Sequence, residues 1–301
     1  MPLVTDCPET LRRAYRACEA MARSHYENFP VASRLLPSHM RPHVAAVYAF
    51  ARAADDVADE GTASAVSRQA QLDVWQKRLH DAVANAPSDD MAVNNEDLVC
   101  RALAHSIRSL RLPLSLFDDL LSAFRQDTTT TRYASWPVLL DYCRRSANPV
   151  GRLVLRIAGY ERERFDQSSD ALCTALQLTN FWQDLGRDWN AGRLYVPREI
   201  LDACGAVETD LSSARLSTPW VQAIAICAGR TEQLFDAGRM VCDGVGGRLG
   251  LELRLTWLGG RRILERVVAR GAQLLHDRPA LGRSDLPLLL WQAARWRRRV
   301  A

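Results

Sequence analysis

Acidic residues recur at helical spacing within two otherwise apolar stretches, and this pattern constrains the fold more than any other feature of the chain. Read as a helix, one stretch places Asn180, Asp184 and Asp188 one turn apart on a single face. The three side chains then form a ridge about 12 Å long, at a rise of about 1.5 Å per residue. Asp55 and Asp59 repeat the spacing in a second stretch, which continues a mostly apolar segment. The pattern predicts two helices that each carry acids at the end of a buried region.

Carboxylates in such positions repel one another and lose solvation unless a cation is held between them. Hard divalent cations with oxygen ligands meet this need, and Mg²⁺ commonly joins a few carboxylates to the phosphates of a substrate. The alternative is a pair of helix ends whose acids are simply solvated. Because the pattern occurs twice, each time on an apolar helix, it favours a site for Mg²⁺ and a diphosphate.

Two residues upstream of the first acid pair are candidates for substrate binding. Arg52 precedes Asp55 by three residues, so it shares the face of Asp55 and could bind a phosphate. It could equally form a structural ion pair with Asp55 or Asp56. Asp56 points about 100° away from Asp55 and is not expected to be a metal ligand. His25 lies near the end of the first predicted helix, and by itself it is more typical of a structural residue.

Nearly all other segments also predict helices, and none shows the period of two that indicates a strand. One of these, capped by Ser135, has Pro137 in its first turn, and the central helix begins at Ser168 or Ser169 and ends at Gly192. The prediction is one all-α domain over residues 1–301, with helices around a central cavity. The other predicted helices cover residues 9–27, 38–60, 64–85, 96–111, 113–127, 149–159, 198–203, 218–242, 249–272 and 284–301, and a polar loop is expected at 209–213.

Composition excludes several classes of protein. Of 301 residues, 39 are basic and 35 acidic, and a net charge of +4 with scattered arginines does not indicate nucleic-acid binding. The eight cysteines are widely spaced without a C-x-x-C pair, which favours free thiols in a reducing compartment over disulfides or zinc. The N-terminus lacks the pattern of a signal peptide, and no apolar run approaches the roughly 20 residues of a membrane span. We therefore expect a cytoplasmic protein.

Two further segments bear on cofactors and partners. The glycine-rich stretch Gly244–Gly250 follows a predicted helix and lacks the strand context of a dinucleotide loop, so NAD(P)H is not expected. Near the C-terminus, leucines and Trp291 lead into Arg295, Trp296 and more arginines. This composition suits peripheral contact with a membrane surface. It equally suits a packed helix whose cations complement its dipole.

The first acid set consists of Asp55 and Asp59, and the second of Asn180, Asp184 and Asp188. With both sets in view, the chain from about residue 20 to residue 270 resembles the squalene/phytoene synthase family. The resemblance rests on two long motifs in the right order, Tyr48–Asp59 and Gln177–Asp188, followed by Gly192–Pro197. It implies the α-helical isoprenoid synthase (prenyltransferase) fold, with Mg²⁺ held between two aspartate-rich helices. It also implies prenyl diphosphate substrates that ionise to a carbocation.

Within that family, three stretches are most similar to bacterial hydroxysqualene synthases of hopanoid biosynthesis: Glu27–Ser33, Tyr142–Gly151 and Asn180–Asp184. The resemblance implies a carbon–oxygen lyase that converts presqualene diphosphate and water to hydroxysqualene and diphosphate. Arg144 stands where head-to-head synthases carry a tyrosine tied to the first condensation step, which argues against that step here. The alternatives are a presqualene diphosphate or phytoene synthase, and a non-catalytic helical scaffold that retains the fold but has lost activity. Neighbouring pathway enzymes are expected as further partners.

The resemblance also assigns roles to individual residues. The expected Mg²⁺ ligands are Asp55, Asp59, Asn180, Asp184 and Asp188, and the four aspartates are also expected to be catalytic. Tyr48 or Asn148 is expected to position the attacking water. The expected substrate-binding residues are His25, Arg52, Arg144, Gln177 and Arg193.

Overall fold

The computed structural model describes residues 8–24, 35–59, 62–85 and 94–297. Regular structure in these ranges is helical, apart from a single bridge pair between Arg132 and Leu194. The α-helices are α1 (Glu9–Ser24), α2 (Arg41–Asp59), α3 (Ala65–Ala84), α4 (Asn95–Leu110), α5 (Ser115–Asp127), α6 (Trp136–Ser146), α7 (Asn148–Ile157), α8 (Glu163–Gln183), α9 (Leu185–Asn190), α10 (Arg198–Cys204), α11 (Thr218–Ala237), α12 (Arg239–Gly244), α13 (Gly247–Arg270) and α14 (Asp285–Ala294). The all-α prediction is confirmed for the described residues.

The chain forms two compact units. The first contains the chain up to Thr129 together with Pro149–Glu161, and the second contains Thr130–Asn148 and the chain from Arg162 onward. The expected single domain with a central cavity stays a prediction. In the part of the chain that the structure describes, no helix combines the length and apolar character needed to cross a membrane. The seven described cysteines are free thiols, as predicted.

Helix α2 is the centre of the first unit and contacts α1, α3, α4 and α5. Phe50 on α2 is fully buried, stacks on Trp75 at 5.4 Å and meets the edge of Phe117 at 5.7 Å. Offset and edge-on aromatic pairs of this kind stabilise a packed core beyond simple area burial. Because Phe50 lies little more than one turn before Asp55, this core fixes the helix that carries the first acid set.

A buried polar network joins α1, α2 and α4 in the same unit. The Tyr15 hydroxyl lies 2.8 Å from His105 Nδ1 and 2.9 Å from Ser106 Oγ, and His43 Nδ1 lies 2.9 Å from the same Oγ. Burial, reinforced by the neighbouring His105 and His39, lowers the pKa of His43 from 6.5 to about 4. Protonated histidine is therefore unfavourable in this network.

We expect the first unit to lose stability as the pH falls from 6.5 to about 4. The pKa of His43 is lower in the folded protein than in the unfolded chain, so the unfolded chain takes up the proton first. The contribution of His43 is complete above pH 6.5 and falls by about 3 kcal/mol as the pH approaches 4. Denaturant unfolding at a series of pH values measures this slope. In a folded His43→Gln variant the slope should flatten, and an unchanged slope would contradict the assignment to His43.

Helix α8 is the centre of the second unit and contacts α6, α11, α12 and α13. Near its start, Ser168 Oγ accepts a hydrogen bond from the Val241 N–H at 2.9 Å. Near its end, the fully buried Trp182 donates its indole N–H to Thr231 Oγ1 at 2.9 Å. Both ends of α8 are therefore anchored to the helices that follow it in sequence.

Several predicted bounds are wrong. The central helix begins at Glu163 rather than Ser168, and its helical geometry is interrupted at Asp184. The predicted helix over 218–242 is divided at Gly238, where a Cβ would lie 2.7 Å from the backbone nitrogen of Leu172. The expected loop at 209–213 is largely a 3₁₀ helix over Glu208–Ser212, and the last helix ends at Ala294.

Candidate functional site

The first acid set lies on the last two turns of α2. Asp55 is half-buried and Asp59 is exposed. The Arg52 guanidinium lies 3.5 Å from Asp55 Oδ2 and 2.7 Å from Asp56 Oδ1. The alternative of a structural ion pair is therefore confirmed, and both Asp55 and Asp56 belong to it. Phosphate binding by Arg52 stays a prediction.

The second acid set lies where α8 passes into α9. Asp184 has φ −96° and ψ 12°, outside the helical region, yet the ladder continues across it. The Asp184 N–H donates to the Asn180 carbonyl and the Asp188 N–H donates to the Asp184 carbonyl, both at 2.9 Å. This i→i+4 bonding keeps Asn180, Asp184 and Asp188 on successive turns, as the spacing predicts.

A glycine cap ends α9 immediately after the second acid set. The Gly192 N–H donates to the Trp189 backbone carbonyl at 2.9 Å, and the Arg193 N–H donates to the Asp188 backbone carbonyl at 2.7 Å. Gly192 has φ 81°, which is the left-handed position of a Schellman cap. The predicted stop at Gly192 is confirmed, and the cap fixes where the Arg193 backbone leaves the acid-bearing helix.

Aromatic side chains hold the extended link that follows. Tyr195 stacks on Phe181 with ring centroids 3.7 Å apart and planes 4° from parallel. Tyr142 lies 6.2 Å from Phe181 and 6.3 Å from Tyr195. Because Phe181 directly follows Asn180, these contacts restrain the helix at the predicted metal ligands.

A segment far downstream packs against the α8–α9 junction; we call residues 275–279 the clasp segment. The guanidinium of Arg278 binds Asp184 through both carboxylate oxygens, with Nη2 3.1 Å from Oδ2. Gln183 Nε2 donates to the Pro279 carbonyl at 2.6 Å. Gly186 faces the backbone of Leu275 so closely that a Cβ would overlap the Leu275 carbonyl oxygen. The clasp segment therefore contacts the Asp184 carboxylate directly and packs against the residues on either side of it.

Sequence reasoning did not find Arg278. The residue lies 94 positions after Asp184 in a loop, so no helical spacing relates the two. Its paired bonds to Asp184 are of the charge-assisted, two-pronged kind that arginine forms with carboxylates. With Arg278, each acid set has an arginine ion-paired to one of its acids.

The other predicted residues are placed as follows. Asn148 is buried and its amide oxygen accepts a 2.9 Å hydrogen bond from Thr174 Oγ1. Arg144 is exposed and pairs with Asp141 on its own helix at 2.9 Å, and its substrate role stays a prediction. Tyr48, Gln177 and Arg193 are half-buried; Gln177 lies three residues before Asn180, close to the face of the second acid set. His25 lies outside the described residues.

The donor chemistry fits magnesium. In the described ranges, no three acidic, histidine or cysteine side chains are gathered into a metal site. Each set nevertheless presents carboxylate oxygens, and the second adds the amide oxygen of Asn180. These are the hard ligands that Mg²⁺ prefers. The arginine on each set offsets the mutual repulsion of its acids, as a cation would.

Comparisons with known proteins agree with this picture. The squalene/phytoene synthase family model matches residues 22–285. A hydroxysqualene synthase of Zymomonas mobilis is 42% identical over 210 residues, covering 69% of this chain and 67% of that protein. A hydroxysqualene synthase of Rhodopseudomonas palustris is 35% identical over 257 residues, covering 84% of each chain. A phytoene synthase of Mycobacterium tuberculosis is 34% identical over 195 residues, covering 65% and 61%.

Solved structures agree as well. The crystal structure of squalene synthase HpnC from Alicyclobacillus acidocaldarius has 40% sequence identity and a TM-score of 0.80, covering 89% of this chain and 98% of that one. A dehydrosqualene synthase with 24% identity has a TM-score of 0.80 over 95% and 96%, and shares the fold. The predicted isoprenoid synthase fold is confirmed. The chain belongs to the squalene/phytoene synthase family, whose enzymes are of the prenyl diphosphate-condensing kind.

Proposed function

We propose that the protein is an Mg²⁺-dependent hydroxysqualene synthase that converts presqualene diphosphate and water to hydroxysqualene and diphosphate. The reaction is that of a carbon–oxygen lyase in hopanoid biosynthesis. Two relatives at 42% and 35% identity bear this name, which supports the proposal. The observation that carries the chemistry is that each acid set has its own arginine, so that oxygen ligands for a cation and donors for a phosphate adjoin.

Magnesium, when bound, would neutralise charge on the departing diphosphate. The first acid set would bind magnesium through the carboxylates of Asp55 and Asp59. The second would do so through the carboxylates of Asp184 and Asp188 and the amide oxygen of Asn180. The ion pair with Arg278 orients the Asp184 carboxylate, which restricts its rotation before a ligand arrives. These residues act mainly by positioning charge, as is typical of reactions that expel a diphosphate.

The basic and amide side chains would bind the diphosphate itself. Arg52 and Arg193 would donate hydrogen bonds to phosphate oxygens, with Gln177, His25 and Arg144 as further predicted contacts. The Arg52 guanidinium already lies beside two carboxylates, so phosphate binding there would exchange one set of anionic oxygens for another. Such exchange costs little desolvation, because the guanidinium is charged and paired in both states.

The reaction needs one water molecule at the carbon skeleton. The carbon–oxygen bond of presqualene diphosphate breaks with its electron pair on the diphosphate. After rearrangement to an allylic cation, the water oxygen forms the new carbon–oxygen bond and a proton is released. The hydrogen bond from Thr174 fixes the Asn148 amide oxygen, leaving the amide NH₂ to position the water. Tyr48 is the alternative candidate.

A purified enzyme supplied with presqualene diphosphate and Mg²⁺ in ¹⁸O-labelled water is expected to form hydroxysqualene that carries the label. Because water is the proposed nucleophile, NADPH should leave the product unchanged. Mass spectrometry of the extracted product measures both results. Squalene formed only in the presence of NADPH would contradict the proposal.

Repeating the assay with farnesyl or geranylgeranyl diphosphate in place of presqualene diphosphate separates the alternative functions. The similarity to a phytoene synthase keeps a head-to-head transferase as the second candidate. That enzyme would consume farnesyl or geranylgeranyl diphosphate and accumulate presqualene diphosphate or phytoene. A non-catalytic scaffold would release no diphosphate from any of these substrates.

The proposed substrate and product also bear on location. Both carry long apolar chains, so they partition into lipid. We therefore place the activity in the cytoplasm at the inner membrane surface, beside the enzymes that supply presqualene diphosphate and consume hydroxysqualene.

A further inference from the structure

Helix α14 is packed on one side only. Its inner ridge consists of Asp285, Leu289 and Ala293, which are buried at successive turns. Asp285 accepts hydrogen bonds from Arg266 at 2.5 Å and from the Gly282 N–H at 2.6 Å. The helix contacts α13. These contacts anchor α14 in place.

The exposed positions of α14 carry no polar residue, and the one uncharged polar side chain of the helix, Gln292, is half-buried. Each of its exposed positions is apolar: Leu286, Pro287, Leu288, Leu290, Trp291 and Ala294. Leu286 and Trp291 are 56% and 54% exposed. We call Leu286, Leu288, Leu290 and Trp291 the outer face. A surface helix normally turns polar residues to water, and a contiguous apolar face marks a binding surface.

The rim of the outer face is basic. Arg283 precedes α14, Arg295 and Arg297 follow it, and all three are exposed. The guanidinium of Arg295 lies 4.9 Å from the Trp291 ring centroid, so the cation and the indole form one surface unit. The only acid between Arg278 and Arg297 is Asp285, which is buried and paired. The surface combines apolar side chains with positive charge that no neighbouring acid in the segment offsets.

Trp296 does not belong to this surface. Its indole N–H donates to Asp243 at 2.6 Å and its ring meets Trp257 edge-on at 5.2 Å. Of the two readings of the C-terminal stretch, the packed one therefore holds for Trp296. For the residues of α14, contact with a membrane surface stays a prediction.

We propose that the outer face of α14 docks the protein on an anionic lipid bilayer, with the helix lying in the plane of the interface. Leucines and Trp291 would enter the boundary between headgroups and acyl chains, and the arginines would contact lipid phosphates. A second copy of the chain fits less well. A two-fold contact sets a patch against itself, and would bring Arg283 and Arg295 of both copies together. The proposal does not depend on the reaction proposed above.

Vesicle co-sedimentation of the full chain tests the proposal, with vesicles of phosphatidylcholine containing about one third phosphatidylglycerol. The Leu286→Ser/Leu290→Ser/Trp291→Ser variant should bind the vesicles at least about tenfold more weakly than the wild type, because membrane affinity scales with buried apolar area. The matched control is Val66→Ser/Val74→Ser, which removes two exposed apolar side chains from α3 and should bind like the wild type.

A second variant tests the charge and covers the case in which the triple variant misfolds. Arg283→Gln/Arg295→Gln should lose the preference for anionic over pure phosphatidylcholine vesicles, and added salt should do the same to the wild type. The proposal is overturned if the wild type does not bind, or if these variants bind unchanged. It is also overturned if sedimentation velocity shows a wild-type dimer that the triple variant dissociates. Turnover in detergent should be unaffected, which separates docking from catalysis.

Discussion

Replacing Asp184 with asparagine is expected to lower kcat/KM by about a hundredfold or more, because metal stabilisation of a leaving group is worth several kcal/mol. Asp55→Asn should do the same from the other acid set. Steady-state diphosphate release at saturating Mg²⁺ measures the effect. The matched controls are Asp236→Asn and Asp73→Asn, which remove exposed carboxylates paired with Arg261 and Arg125. Both controls should retain activity.

The Asp184 variant carries a second expected change. Without metal, Asp184 is held by Arg278, so the substitution should lower the free energy of unfolding by about 1 kcal/mol. Removing a carboxylate therefore does not simply relieve repulsion at this position. Circular dichroism should still show a helical protein. Near-normal turnover in either the Asp184 or the Asp55 variant would show that the metal ligands are wrongly assigned.

Gly186→Ala is expected to lower the free energy of unfolding by about 3 kcal/mol, since the new methyl group would overlap the Leu275 carbonyl. Backbone on both sides must move to accept it, and Asp184 and Asp188 lie two residues away. Activity should fall with stability. Thermal and denaturant unfolding with and without Mg²⁺ measure the cost.

Gly229→Ala is the contrasting control. Gly229 is an exposed residue of α11, and a Cβ there would meet nothing within 4 Å. Alanine should raise stability by about 0.5–1 kcal/mol, because glycine is a poor helix former. If both variants were equally stable, the close approach of the clasp segment to α9 would be wrong.

Local patterns predicted the helices well where caps and turns are local. The structure places α5 and α6 within two residues of the predicted starts, since Pro113 and Ser135 with Pro137 mark them. The spacing of Asn180, Asp184 and Asp188 also held, because backbone bonds span the interruption at Asp184. Periodicity could not reveal that interruption, since Asp184 keeps its place on the ridge.

Other features depend on contacts that no local pattern encodes. At the division between α11 and α12, Gly238 lies against the backbone of Leu172, which is 66 residues earlier in the chain. Arg278 reaches Asp184 only because α13 returns the chain to the α8–α9 junction. The apolar residues of the outer face of α14 could be recognised from the sequence. That Trp296 does not belong to this face follows only from its contact with Asp243.

The clasp segment changes what counts as the smallest working piece of this protein. A fragment that stops at residue 270, where the sequence resemblance was expected to fade, would keep every predicted metal ligand. It would lack the guanidinium that holds Asp184, the carbonyl that receives Gln183 and the backbone that abuts Gly186. For truncation, circular permutation or fusion, the boundary of the catalytic unit therefore lies beyond Pro279, although no predicted ligand lies within 85 residues of it.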